Sequence, residues 1–321
     1  MSLKAFVYEI EKNNSLIIDN VIKVDIQEEK PKYHHTNTKA ALVAKIFMYI
    51  GLAILAIIFL FPVVWMVMNS FKSQADVYAT MDSIMTFLPS TWKFWEWFNS
   101  YAAMFSTFEY FGQAVLNSII YCAVTIFGVV IVNSLAVYAL SRFVFPGHKL
   151  LVNIIIIILL VPVETSIVPL YVILKNLGLL TPELRVVGYL IPGLVSPMYI
   201  FMFRNFFLGI PKELEESAYL DGAGRLKTFF MVIIPCALPV FATVSIFTFM
   251  GQWNEYVFAQ LMFSNPAQQP LQVFLQLINN FNPKDISVVM ASLTFSTIPI
   301  ALFYIFAQKY IIEGVAFTGL K

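Results

Sequence analysis

Apolar residues in this chain do not keep to one face of a helix or alternate as in a strand; they run on continuously. Six such stretches lie at roughly 45–70, 112–140, 149–171, 186–207, 229–251 and 287–309. A helix rises about 1.5 Å per residue and the hydrocarbon core of a bilayer is about 30 Å thick, so about 20 mainly apolar residues cross it. Each stretch meets that length. The third is the plainest, interrupted between 150 and 163 only by Asn153 and Pro162. The pattern predicts an all-α, polytopic membrane protein with six transmembrane helices over 45–321. Residues 1–44 read as a polar tail of mixed charge. No basic segment leads directly into a short apolar core there, so a cleaved signal peptide is not expected.

Composition sharpens this picture. Of 321 residues, 59% are hydrophobic and only 12% are charged, whereas about a quarter are charged in a soluble protein. An ordinary soluble enzyme is excluded. Twenty Lys and Arg against nineteen Asp and Glu leave a net charge of +1, so no basic surface for nucleic acid is implied. The two cysteines, Cys122 and Cys236, sit inside apolar runs without metal-ligand spacing, and no metal site is expected. With the N-terminus inside, ten Lys and Arg flank the spans on the inner side, Arg142, Arg204, Arg225 and Lys227 among them. Five flank the outer side: Lys72, Lys93, Lys175, Arg185 and Lys284. The positive-inside rule therefore predicts both termini on the inside. Of the two long outer connections, 71–111 carries Trp92, Trp95 and Trp97 and reads either as an interfacial aromatic belt or as a small amphipathic helix. The other, 252–286, holds Pro266, Pro270 and Pro283 and is expected to form irregular structure capping the outer side.

Chemistry is sparse. No Gly-Lys dipeptide occurs, so no G-x-x-x-x-G-K-[ST] phosphate loop exists, and neither H-E-x-x-H nor G-x-S-x-G appears. No catalytic residue is assigned. Ionisable groups inside a membrane mark functional pathways by default. Glu164 is the one acid clearly within a span; it either lines a polar cavity or hydrogen-bonds to a neighbouring helix. Asn133 and Ser134 in the second span carry the same two readings, and Asn254 is a further candidate for lining a path or its outer gate. The relays of acids or paired broken helices of an ion-coupled carrier are not apparent. Eight prolines within the spans predict a kinked bundle.

The informative segment is the loop 208–228. Pro211 suits a first helical turn, where its missing N–H is not needed. Glu213, Glu215 and Glu216 follow at the positive end of the helix dipole. Gly222 can take the left-handed conformation that stops a helix, and Gly224 lets the chain turn again. The result is a helix of about ten residues, too short to be stable alone in water. Leu214, Ala218 and Asp221 form a stripe at i, i+4 and i+7, broadened by Ser217 and Leu220. Such a helix either packs on its own bundle or docks into a groove of a partner.

Glu216-Ser217-Ala218-Tyr219-Leu220-Asp221-Gly222, followed after nine residues by Val232-Ile233-Ile234-Pro235, resembles the E-A-A-x3-G-x9-I-x-L-P motif of ABC-importer permease subunits. Ser217, Val232 and Ile234 depart from it with little change in size. Asn117-Ser118, Tyr138-Ala139-Leu140-Ser141-Arg142-Phe143, Phe145-Pro146-Gly147, Ile167-Val168-Pro169-Leu170-Tyr171, Gly251-Gln252-Trp253-Asn254 and Gln308-Lys309-Tyr310 are similar to the carbohydrate-uptake branch, the maltose-permease G-type subunits. The resemblance covers about 45–321. It implies one permease of an importer for a sugar, polyol or glycerol phosphate in a bacterial inner membrane, paired with a second homologous permease. An extracytoplasmic solute-binding protein or lipoprotein would deliver the solute. Two cytoplasmic ATPase subunits would hold ATP and Mg, so this chain would carry no cofactor. Leu214, Glu216, Ser217, Ala218, Leu220, Asp221 and Gly222 would dock on the ATPase. The tail after the sixth span, 313–321, would reach the same interface. The alternative is a self-contained, ion-coupled secondary transporter.

Overall fold

A computed structural model describes the backbone of residues 38–318 and the side chains of 41–308. Most of the 1–44 tail and the last three residues fall outside that range. All regular structure among the described residues is helical. Four helices are long and apolar enough to cross a membrane: Ala41–Ser70, Phe111–Arg142, Arg185–Leu208 and Ile286–Gln308. Two helix pairs complete the set of six if each pair is one span. His148–Ile158 with Val163–Asn176 is bent by 97°, and Arg225–Cys236 with Leu238–Trp253 by 80°.

Four expectations need correction. The third stretch, the plainest in the sequence, is the most sharply broken of the spans. Pro162 takes an extended conformation (φ −61°, ψ 127°) and brings no N–H to continue the helix. The first helix begins at Thr38, so the tail ends earlier than residue 44. The sixth helix continues to Thr318, so the expected tail after it is mostly the end of a helix. The connection 252–286 is also not irregular. It folds into the helices Val257–Met262 and Leu271–Asn279, the second starting straight after Pro270. Leu271, Val273, Phe274, Leu275 and Ile278 on that second helix are buried, making it a packed cap over one end of the bundle.

The chain divides into a unit up to Phe61 and a unit from Pro62 onward. In the first, Leu42 through Leu60 present large apolar side chains at the surface, as hydrocarbon requires. In the second, the Phe111–Arg142 helix is the organising element. Its buried residues recur at helical spacing: Phe111, Ala114, Ser118, Tyr121, Thr125, Val129, Asn133 and Val137. Its exposed residues include Leu116, Ile119, Ile120, Val124 and Phe127. Polar groups inside and apolar groups outside invert the pattern of a water-soluble amphipathic helix and match a helix solvated by lipid. At the end bearing the cap, Phe111, Ala114 and Cys122 pack with Trp253, Phe274, Ile278 and Val289. At the other end Val129, Val137 and Tyr138 pack with Phe203, Phe207, Phe229, Ile233 and Phe241.

Residues 71–110 fold into short helical turns rather than a single amphipathic helix. Trp97 stacks at a tilt on Phe71, with ring centroids 5.6 Å apart, and donates its indole N–H to Thr91 O at 2.9 Å. Trp92 and Trp95 stay exposed, which keeps the aromatic-belt reading for those two rings alone. The segment is held by Lys72, which the charge count treats as a flanking cation but which is fully buried. Its ammonium donates to Thr80 Oγ1 at 3.0 Å, Met85 O at 2.9 Å and Thr86 O at 3.0 Å. Burial pushes its pKa below the usual lysine value, partly offset by Asp76. Asn69 adds a bond to Thr86 Oγ1 at 3.1 Å, and Ser100 donates to Lys72 O at 3.0 Å. Lys72→Met keeps the side-chain volume but strands two buried carbonyls. We expect it to lower stability by about 2–3 kcal/mol, read as earlier thermal unfolding in detergent; wild-type unfolding would contradict the assignment.

Candidate functional site

The loop between the fourth and fifth spans contains the helix Glu213–Leu220. Its stop is a complete Schellman motif. Gly222 adopts φ +79°, Ala223 N–H donates to Ala218 O at 2.9 Å, and Gly222 N–H donates to Tyr219 O at 3.0 Å. No heavy atom lies near the position of a Cβ on Gly222, so the backbone conformation alone requires glycine. Glu213, Glu215 and Glu216 occupy the first turn, as the dipole favours.

The expected stripe of Leu214, Ala218 and Asp221 is not one buried face. Glu215 is buried, Ala218 is half-buried, and Leu214, Glu216, Ser217, Leu220, Asp221 and Gly222 are exposed. Two faces result. Glu215 and Ala218, at i and i+3, turn toward the bundle. Leu214, Ser217, Leu220 and Asp221 turn away, with Leu220 89% exposed. One side thus packs on its own chain, as one of the two readings has it, and the other side is exposed.

The inward side is fastened to the end of the second span. Arg142 Nε faces Glu215 Oε1 at 2.5 Å, with side chains 5% and 6% exposed. The two atoms meet as charges rather than as an aligned hydrogen bond. Arg142 Nη2 also donates to Ile210 O at 3.1 Å. Tyr138 Oη lies 3.3 Å from both Tyr219 Oη and Arg225 O. The Arg225 guanidinium sits 4.3 Å from the Phe143 ring centroid, a cation–π contact. These residues are absent from the sequence-predicted set. Arg142 reads there only as a flanking cation and Glu215 only as dipole charge. The available signal is register: Glu215 shares a face with Ala218, a small residue that is half-buried against the bundle.

The path candidates separate. Asn133 is fully buried. Its amide donates to Val129 O at 2.6 Å and Leu194 O at 2.8 Å, and its carbonyl accepts from Ser196 N–H at 3.1 Å. It is a pin that holds the interruption of the fourth span, where the 3₁₀ turn Ile191–Leu194 joins the helix starting at Pro197; it does not line a path. Among the described residues Ser134 bonds within its own helix, to Ile131 O at 3.4 Å. Glu164 lies in the 3₁₀ turn Val163–Ser166 at the break of the third span and is exposed. Among the described residues its carboxylate has no hydrogen bond to a neighbouring helix of this chain. Asn254 is exposed at the end of the fifth span, donating to Met250 O at 2.8 Å. Its neighbour Gln252 bridges Tyr189 Oη at 2.8 Å and Thr125 Oγ1 at 3.3 Å. Among the described residues no His, Cys, Asp and Glu cluster could hold a metal ion.

The chain belongs to the family of binding-protein-dependent transport system inner membrane components, which matches residues 133–316. It is 31% identical to the probable ABC transporter permease protein YurM of Bacillus subtilis, over 86% of this chain and 87% of that protein. It is 30% identical to the diacetylchitobiose uptake system permease protein NgcG of Streptomyces coelicolor, over 81% of this chain and 84% of that one. Among solved structures, a bacterial ABC transporter involved in the import of the acidic polysaccharide alginate has a chain superposing with TM-score 0.74 at 26% identity, covering 88% of this chain and 99% of that one. The protein is thus a membrane permease subunit of an ABC importer, and ATP hydrolysis belongs to partner subunits. A self-contained ion-coupled carrier is set aside.

Asn133→Ala leaves Leu194 O and Ser196 N–H without partners where water is scarce. The expected cost is about 1–3 kcal/mol, measured as reduced thermal stability; an unchanged melting temperature would show that the pin is dispensable.

Proposed function

We propose that this subunit imports a sugar or a related solute, such as a polyol or glycerol phosphate, as half of a path shared with a second homologous permease. Two cytoplasmic ATPase subunits holding ATP and Mg drive the cycle, and an extracytoplasmic solute-binding protein or lipoprotein supplies the solute. Support for the carbohydrate class comes from the relatives whose names state diacetylchitobiose, arabinooligosaccharides and galactooligosaccharides.

The observation that carries the coupling role is the two-faced 213–220 helix. Its stop is built from backbone bonds, its inner face is tied to the second span, and its outer face offers Leu214, Ser217, Leu220 and Asp221 to a groove, with Glu216 beside them. Helix-in-groove docking suits such a face. Ala218 and Gly222 serve the same docking indirectly, by packing and by stopping the helix. The excess of Lys and Arg at this end supports an orientation with both termini and this helix in the cytoplasm. Membrane lipid then surrounds the apolar faces, and Glu164 and Asn254, both exposed on this single chain, are candidates to face the path formed with the second permease.

Gly222→Pro removes the N–H that closes the Schellman motif, and Ala218→Arg forces a long cation into a half-buried position. Both variants should insert and retain ATP hydrolysis in the assembled complex while losing most uptake. Reconstituted vesicles assayed for hydrolysis and for labelled-solute uptake decide it. Wild-type uptake in both would remove the docking role, and failure of any ATPase to copurify with the wild-type chain would remove the importer reading.

A further inference from the structure

The second span differs from its neighbours in one mechanical respect. The first and sixth helices contain Pro62 and Pro299, the fourth is interrupted at Ile191–Leu194, and the third and fifth are bent by 97° and 80°. Phe111–Arg142 runs 32 residues without a proline or a break, about 48 Å of continuous helix. Kinks and bends occur where the i→i−4 ladder is interrupted, so this is the span best able to carry a displacement along its length.

Both of its ends are bonded to something outside the span. At one end Arg142 meets Glu215, and Tyr138 meets Tyr219, on the coupling helix. At the other end three side chains grip a single stretch of the cap. Asn117 Nδ2 donates to Ala267 O at 2.9 Å and Gln269 O at 3.1 Å, Tyr121 Oη donates to Gln268 O at 3.0 Å, and Ser118 Oγ accepts from Leu271 N–H at 2.7 Å. The coupling helix is joined by the chain itself only to spans four and five, through the turns at 209–212 and 221–224. The ion pair adds a third attachment, and it is the one that leads to the opposite end of the molecule without a bend.

We propose that the second span is a push-rod: the Arg142–Glu215 pair couples the 213–220 helix to it, and its Asn117, Ser118 and Tyr121 end delivers the displacement to the cap at 266–271. Rearrangement of that outer surface is thereby tied to the ATPase cycle through this subunit's own bundle. The inference rests on the coupling role proposed above and extends it to the far side of the membrane. Physical coupling requires that a perturbation at either attachment be felt at the other. Arg142 and Glu215 act here as positioning residues.

The test uses the complete complex, with its ATPase partners, in vesicles. Ser264→Cys supplies an exposed thiol beside the cap in a Cys236→Ser background, where the remaining Cys122 is buried. The labelling rate of that thiol is measured with and without ATP and Mg. We expect nucleotide to change the rate about fivefold or more. The change should vanish in Arg142→Gln and in Glu215→Gln while hydrolysis continues, and should return when Arg142→Glu and Glu215→Arg are combined. Asn117→Ala, which leaves the ion pair untouched, should abolish the change from the other end of the rod; a purely local role for the pair would leave it intact. Persistence of the change in either glutamine variant, no recovery in the charge swap, or an unaffected Asn117→Ala overturns the proposal. If the glutamine variants fail to assemble, the pair is a folding element and the push-rod is wrong. If the wild-type complex hydrolyses ATP with coupled uptake while the thiol never responds, only the push-rod falls. If the wild-type chain binds no ATPase, the coupling role falls and takes the push-rod with it.

Discussion

Backbone N–H and C=O groups inside hydrocarbon have no water to turn to, so any interruption of a membrane helix must be satisfied by protein. This chain interrupts its third, fourth and fifth spans, and the constraint explains much of what the second span looks like. The interruption of the fourth span exposes Leu194 O and Ser196 N–H, and Asn133 supplies a donor to one and an acceptor to the other. Gly128, earlier on the same helix, packs against Leu194: a Cβ there would lie 2.5 Å from a Leu194 methyl, so that side chain would have to shift. In the fifth span Pro235 has no N–H to continue the ladder. The chain widens locally to a π turn over Phe229–Ile233 before the next helix starts at Leu238, a common way of absorbing one surplus residue. For the fourth span, a polar side chain on the unbroken helix beside it is what lets it be broken.

The same helix joins the two ends of the bundle chemically. A buried ion pair generally adds little net stability over well-packed apolar groups of equal volume, because desolvating both charges offsets their attraction. What it does enforce is orientation, since a guanidinium and a carboxylate in low dielectric tolerate little separation. Arg142 and Glu215 therefore fix the rotation of the 213–220 helix about its axis. That rotation turns Leu214, Ser217, Leu220 and Asp221 outward. A slip of one residue would turn different side chains outward, and the Schellman stop at Gly222 guards against it from the other end.

The legible and illegible parts of the sequence follow from the same physics. Apolar run length gave the number and rough limits of the spans because the bilayer fixes that length. It was blind to the 97° bend at Pro162, since hydrocarbon accepts either arm of a bent helix equally well. The cap at 252–286 was misread because prolines suggest irregularity, whereas Pro270 stands immediately before a helix whose apolar face is buried. The coupling loop was legible in its stop signal, which glycine chemistry carries locally. Its division into two faces was not, because the apolar residues Leu214 and Leu220 face out and the charged Glu215 faces in. Lys72 was read only as a flanking cation, and Asn133 was left open between a path and a helix-to-helix bond, the second of which the structure shows. Each is a polar residue whose role depends on acceptors elsewhere in the chain, and sequence spacing does not encode them.

A helix of eight residues has no stability of its own in water, since nucleation costs more than so few bonds return. It persists here because its last turn is closed by backbone bonds and its inner face is anchored to Arg142 and Tyr138. A partner that docks on its outer face thus meets a helix already formed, and the ordering entropy that weakens the binding of flexible segments has been met during folding. Rigidity has a second consequence. A flexible loop would absorb a partner's movement by bending, whereas a helix clamped to the bundle passes the movement on. Under the docking role proposed above, the feature that suits this element to docking and the feature that suits it to transmission are one and the same: its attachment to the second span.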